Sequence, residues 1–187
     1  MRERVTKEII AHREVLERVL DSMVEEIEIA SKMVVDVVKK DKKILLCGNG
    51  GSAGDAQHIS AEFTGRFKKE RRGILAVALT TDTSAITAIA NDYGYDRVFS
   101  RQVEAIAREG DLLIAISTSG NSQNVINAVK EAKRLGVGVV GLSGKDGGEL
   151  SRLCDVNLVV PSDDTARIQE MHIMIGHIIC GVVDELF

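Results

Sequence analysis

The sequence predicts an α/β fold: a three-layer α-β-α sandwich around a five-stranded parallel sheet, with helices added at the N-terminus. Three observations carry this reading. After Lys43, short runs that are apolar on both faces alternate with helical stretches, the pattern of strands covered by helices on either side. No internal repeat or low-complexity linker interrupts the alternation, and the sole proline, Pro161, falls just past the last apolar run. At 187 residues the chain is long enough to bury one sizeable core and short for two.

The elements follow in order. In the first forty residues Ile9, Ile10, Val15, Leu16, Val19, Leu20, Met23, Ile27, Ile29, Met33, Val34 and Val37 recur at helical spacing among charges, which predicts one or two long helices. Their apolar stripe packs either on the rest of the chain or on the same block of another subunit. Strands are expected at Ile44 to Cys47, Leu75 to Leu79, Leu112 to Ile116, Val137 to Leu142 and Val156 to Val160. Helices are expected near Ser52 to Phe67, Ser84 to Ala90, Asp96 to Arg108, Asn121 to Leu135 and Thr165 to Leu186. The chain thus reads as a single domain, 1–187, with an N-terminal helical oligomerisation segment at 1–40 and an α/β core at 41–187.

Composition narrows the function. A net charge of -4 argues against nucleic-acid binding through a general positive field. Cys47, Cys154 and Cys180 lack close spacing, which argues for buried thiols in a reduced compartment and against a zinc knuckle or disulfide framework. There is no apolar signal core, and no run of about 18 apolar residues to span a bilayer, so a cytoplasmic protein without a membrane partner is expected.

In parallel α/β sheets, ligands bind beyond the carboxyl ends of the strands, which directs attention to two loops. The third strand runs into Ser117-Thr-Ser-Gly-Asn-Ser122. Its hydroxyls can donate hydrogen bonds, Gly120 allows close backbone approach, and the next helix presents its positive end, together a phosphate cradle. The alternative is a plain turn in which Asn121 or Ser122 caps the helix. The first strand leads into Gly48-Asn-Gly-Gly-Ser52, which lacks both the spacing of a dinucleotide loop and the Walker lysine. A phosphorylated small molecule suits the two loops better than a nucleotide.

Reactive groups lie further along. His58 and Glu62, four residues apart, sit about 40° apart around a helix and can share a metal or a substrate. Alternatively Glu62 pairs with Arg66. Arg66 to Arg72 reads as a solvated helix end, though Arg66 could meet an anionic substrate. The last helix carries Gln169, His172 and His177 among apolar residues. Gln169 and His177 are separated by about 12 Å of helical rise, so shared ligation would need a bend, long reach or different subunits. His172 is expected at the surface or in a capping role.

These residues, with Asp55-Ala-Gln-His58, Ala90-Asn-Asp92, Gly144-Lys-Asp-Gly-Gly148 and Arg167-Ile-Gln-Glu-Met-His172, resemble the sugar isomerase (SIS) domain of the phosphoheptose isomerase family over nearly the whole chain. The resemblance implies a cytoplasmic homotetramer with sites at subunit interfaces. It also implies conversion of sedoheptulose 7-phosphate to D-glycero-D-manno-heptose 7-phosphate, the first step toward nucleotide-activated heptose for bacterial surface polysaccharide. It assigns Ser117, Thr118, Ser119 and Ser122 to the phosphate, and Asn49, Gly50, Gly51, Asn91, Asp92 and Gln169 to the sugar; Ser52 in the first loop and Arg66 join them as substrate-binding candidates from their own positions. It further assigns His58, Glu62, Gln169 and His177 to one zinc ion per subunit, and Glu62 and His177 to proton transfer. Two other readings stand beside it. One is a non-catalytic regulator resembling the replication-initiator-associating protein, which is similar over Thr87 to Asp92 and Arg167 to His172 but lacks counterparts of Glu62 and His177. The other is an isomerase of another sugar phosphate.

Overall fold

Five strands, β1 (Ile44–Gly48), β2 (Ala76–Ala78), β3 (Leu112–Ile116), β4 (Gly138–Gly144) and β5 (Val156–Val160), pair in the order β2-β1-β3-β4-β5, and every pair is parallel. The structure is a computed structural model and describes residues 1–187. Side chains alternate between two cores, as the strand period of two requires. Ile44, Leu46, Leu112, Ile114 and Ile116 face the larger one, and Leu45, Cys47, Leu113 and Ala115 the smaller. The five-stranded parallel sheet between helix layers is therefore as expected.

The larger core is covered by α1 (Arg2–Ser22), α2 (Val24–Lys39), α3 (Gly51–Thr64) and α8 (Thr165–Leu186). The smaller is covered by α5 (Ser100–Ile106), α6 (Gln123–Arg134) and α7 (Leu150–Leu153), with α4 (Thr83–Tyr93) packed at its edge. The first forty residues form two helices, broken at the buried Met23 where the backbone leaves helical geometry (φ -123°, ψ 0°). Aspartates start two helices: Asp82 accepts from Ala85 N, and Asp164 from Ala166 N.

Boundaries shift where tertiary context prevails. β2 shortens to three residues at the sheet edge and leaves Leu75 exposed. The helix expected over Asp96 to Arg108 divides into a single tight turn at Tyr95–Arg97 and α5. The thiols of Cys47 and Cys180 are buried and that of Cys154 half-buried, and burial pushes all three up to about 12.

α8 crosses α3 closely at Gly176. A Cβ on Gly176 would stand 2.5 Å from Ile59 Cδ1 and 2.7 Å from its Cγ1. Gly176→Val should therefore overpack this contact and destabilise the fold by about 1–3 kcal/mol, read as a lower urea midpoint with unchanged m-value.

Candidate active site

Registered pairing of β1 with β3 ends at Gly48 opposite Ile116, so the loops that follow leave the sheet side by side. From β1 the chain turns to β2 on one side, while β3 lies on the other; this reversal of direction opens a crevice between the two loops.

In the β3 loop, Ser117 Oγ donates to Ser122 Oγ at 2.9 Å and lies 3.5 Å from Ser119 Oγ, bringing three hydroxyls together. Gly120 adopts φ 67° beneath them. Ser122 occupies the N-cap of α6 but its side chain makes no capping bond, and the Asn121 side chain turns to Ser119 O and Glu149 N. The plain-cap alternative is thus not what forms: the hydroxyls gather at a helix N-terminus without capping it, an arrangement suited to an anion. A second loop braces the cradle. A Cβ on Gly120 would stand 2.0 Å from Gly147 O, and Leu150 N donates to Gly120 O.

In the β1 loop, Gly50 adopts φ 54° at the N-cap of α3 and Ser52 is buried in the first turn. Asn49 exchanges two side-chain bonds with Asn124 (2.8 and 2.9 Å) and accepts a third from Tyr95 Oη at 3.1 Å. Asn124, buried on α6, thus joins the two loops directly. The sequence offers no more sign of Asn124 than an amide immediately beyond the serine loop, and none of Tyr95. Gln169 lies over Gly51, where a Cβ would meet its Nε2 at 2.6 Å.

Along α3 and α8, His58, Glu62 and His177 converge. Their potential ligand atoms all lie within 4.8 Å of one another, with 3.2 Å between His58 Nε2 and Glu62 Oε1 and 3.3 Å between the two imidazole Nε2 atoms. The edge of a tetrahedron of zinc ligands at about 2.0–2.1 Å from the metal is about 3.3 Å, so the two shorter separations fit such a site. Glu62 pairs with His58, and Arg66 lies toward Glu70 at 3.8 Å, so the alternative Glu62–Arg66 pair is not formed. One turn before His58, Asp55 has a buried Oδ2 without a partner; burial pushes its carboxyl up to about 6, against the lowering effect of His58. Asn91 and Asp92 bond to each other at the exposed end of α4.

Two expectations are corrected. His172 is neither at the surface nor a cap: it is fully buried, its Nε2–H donates to Ser143 O at 2.9 Å, and its Nδ1 has no partner. On α8 it faces the sheet and joins β4. The stretch from Arg66 to Arg72 is mostly solvated, as expected, but it is not a helix end, because α3 stops at Thr64, and the Arg71 side chain is buried. Phe67 turns back to stack on the His177 ring, with centroids 5.4 Å apart and planes 25° apart.

A family model described as the SIS domain matches residues 9–144. The chain accordingly belongs to the SIS domain family. Its relatives include phosphoheptose isomerases. A phosphoheptose isomerase of Aliarcobacter butzleri is 62% identical over 185 residues, covering 99% of this chain and 98% of that protein. The solved phosphoheptose isomerase of Neisseria gonorrhoeae superimposes with a TM-score of 0.94 at 48% identity, covering 98% of both chains. That of Francisella tularensis gives 0.95 at 36% identity, covering 98% of this chain and 97% of the other.

Burial lowers the His172 pKa from 6.5 to about 4, the Ser143 bond opposing the shift only in part. Between those values the unfolded chain binds the proton and the folded one does not. The stabilising effect of a neutral His172 is complete above about pH 6.5 and is lost as pH falls toward 4. In urea titrations at about pH 7.5 and about pH 4.5, His172→Gln should show a smaller drop in stability between the two than the unaltered protein.

Proposed function

We propose that this protein is an aldose–ketose isomerase that interconverts sedoheptulose 7-phosphate and D-glycero-D-manno-heptose 7-phosphate. The observation that carries the reading is the pairing of a hydroxyl-lined cradle at the β1/β3 crevice with the carboxylate–imidazole cluster of Glu62 and His177, in a chain 62% identical to a phosphoheptose isomerase. No helix is long and apolar enough to cross a membrane.

Ser117, Thr118, Ser119 and Ser122 hold the phosphate, assisted by the α6 N-terminus. Asn49, Gly50, Gly51, Ser52, Arg66, Asn91, Asp92 and Gln169 bind the remainder of the open-chain sugar. The Glu62 carboxylate takes the proton from C1 of the ketose while His177 protonates the C2 oxygen, giving an enediol. His177 then takes the proton from the C1 oxygen and Glu62 returns one to C2, giving the aldose with all protons accounted for. A histidine suits the oxygen transfers because its ordinary pKa lies near neutrality.

His58, Glu62 and His177, joined by Gln169, would hold one zinc ion. When bound, zinc supplies Lewis-acid stabilisation of negative charge on the sugar oxygens. A carboxylate engaged by a cation is a poorer base, so Glu62 balances two demands.

The same reading assigns a cytoplasmic homotetramer with sites at subunit interfaces, acting at the entry to activated-heptose synthesis for surface polysaccharide. On α1, Val5, Ile9, Leu16 and Leu20 fall within about 60° around the helix and are all exposed. Between α2 and α8 runs an apolar groove of about 610 Å³ lined by Val24, Ile27, Val35, Ile178, Val182 and Leu186. Exposed apolar surfaces of this kind suit burial against further copies of the chain.

Purified protein given sedoheptulose 7-phosphate should form the aldose. Absence of turnover with zinc supplied would favour a binding role, and turnover only with another ketose phosphate would move the substrate. Glu62→Gln should abolish turnover with fold and assembly intact, whereas Ser119→Ala should raise KM through loss of about 1 kcal/mol of phosphate binding. Chelation should lower kcat and added zinc restore it; full activity in zinc-free protein removes the metal from the reading. Leu20→Glu should shift sedimentation toward smaller species while leaving the helical circular dichroism of the chain intact.

A further inference from the structure

Arg71 and Asp184 form an ion pair whose side chains are 1% and 3% exposed. Arg71 Nε donates to Asp184 Oδ1 at 2.7 Å, while Nη1 donates to Phe63 O at 2.9 Å and Nη2 to Glu62 O at 2.8 Å. Those two carbonyls belong to the last turn of α3, where the helix has no further N–H groups to offer them. The other Asp184 oxygen accepts the backbone N–H groups of Lys68 and Lys69, at 2.6 and 2.9 Å. One guanidinium and one carboxylate thus fasten the end of α3, the strap at 66–72 and α8 to one another. Burial alone would raise the Asp184 pKa, but the two backbone donors and Arg71 hold it below the usual carboxylate range.

The fastening lies beside the reactive cluster on both helices. Glu62 contributes its carboxylate to the cluster and its own carbonyl to Arg71. Asp184 follows His177 by seven residues, two turns along nearly the same face of α8. Between them the strap seats Phe67 on the His177 ring, with Lys68 Nζ 5.1 Å above the Phe67 ring centroid. A buried ion pair adds little net stability compared with a well-packed apolar pair, and here its fixed donors and acceptors tie three segments at set distances.

We infer that Arg71 and Asp184 are positioning residues for the reaction: they set α3 against α8 and hold Phe67 on His177, and so fix the separation of Glu62, His58 and His177. The inference rests on the catalytic and metal roles proposed above for that cluster. It assigns to the pair a contribution to kcat and metal retention, with the phosphate cradle at the β1/β3 crevice independent of it.

The test compares Phe67→Leu, Arg71→Lys, Arg71→Met and Asp184→Asn with the unaltered protein. The readouts are the histidine ring signals in nitrogen-15 NMR, zinc retention against a competing chelator, inorganic phosphate binding, and kcat and KM. The expected result for Phe67→Leu and Asp184→Asn is displaced His177 ring signals, zinc retention weakened about tenfold and kcat lowered about tenfold, with KM and phosphate affinity within about twofold. Arg71→Lys keeps the charge but not the three-way fork, and should fall between Arg71→Met and the unaltered protein. Folded variants with unchanged His177 signals and zinc retention would overturn the inference, even with a lowered melting temperature. Arg71→Lys keeps the buried positive charge while breaking the fork, and decides the matter if Arg71→Met and Asp184→Asn do not fold; Phe67→Leu separates the direct effect of the ring on His177 from that of the ion pair. Lack of turnover by the unaltered protein would defeat the isomerase reading, while the ring signals and zinc retention would still decide this one.

Discussion

The parallel pairing of β1 with β3 is the constraint on which the site depends. Five consecutive residues pair in register, from Ile44 with Leu112 to Gly48 with Ile116. At the opposite end of the ladder, buried Asp111 accepts Lys43 N and Arg108 N and pairs with Lys43 Nζ, so the two strands start from one anchored point. A slip of one residue would exchange the faces of every side chain in the strand that moved, placing Leu46 in the smaller core if β1 shifted, or Ile114 if β3 did. The crevice between the loops exists because this register is locked from below.

A second relation is built on that frame. The loops at the strand ends are joined through Asn49 and Asn124, and Gln169 reaches from α8 to the backbone at Gly51. The crevice between the loops and the His58–Glu62–His177 cluster accordingly share α3, whose first turn lies at one and whose last two turns lie at the other. On the proposed reading, phosphate binding and proton transfer would both draw on this one helix, which favours a fixed distance between the two sites.

The sheet and its order of helices were legible because they depend on patterns local in sequence. Leu45, Leu46, Leu113 and Ile114 have apolar neighbours on both sides, and only a strand covered on both faces uses such a run in so short a length. The loops were legible for a similar reason: glycines and hydroxyls gather within six residues of each strand end. What escaped depended on contacts distant in the chain. His172 looks like any other polar residue on α8 until its carbonyl partner, Ser143, is placed beneath it on β4. Arg71 sits in a basic run that resembles a solvated helix end, and its partner is 113 positions away. Asn124 lies on the buried side of an otherwise amphipathic helix, where periodicity alone would call for an apolar residue. Sequence periodicity reports which face is buried, but not which polar group answers another there.

The crowding at Gly120 has a consequence for how this architecture is inherited. With no room for a Cβ between the serine loop and the carbonyl of Gly147, and with Gly148 pressed against the Asn121 side chain, the two loops fit as a moulding and its cast. Neither can be grafted onto another scaffold alone and retain its shape. The unit of transfer is the pair, so on the proposed reading a new phosphate-bearing ligand would be more readily accommodated by altering the surfaces around the two loops than by recutting the loops themselves.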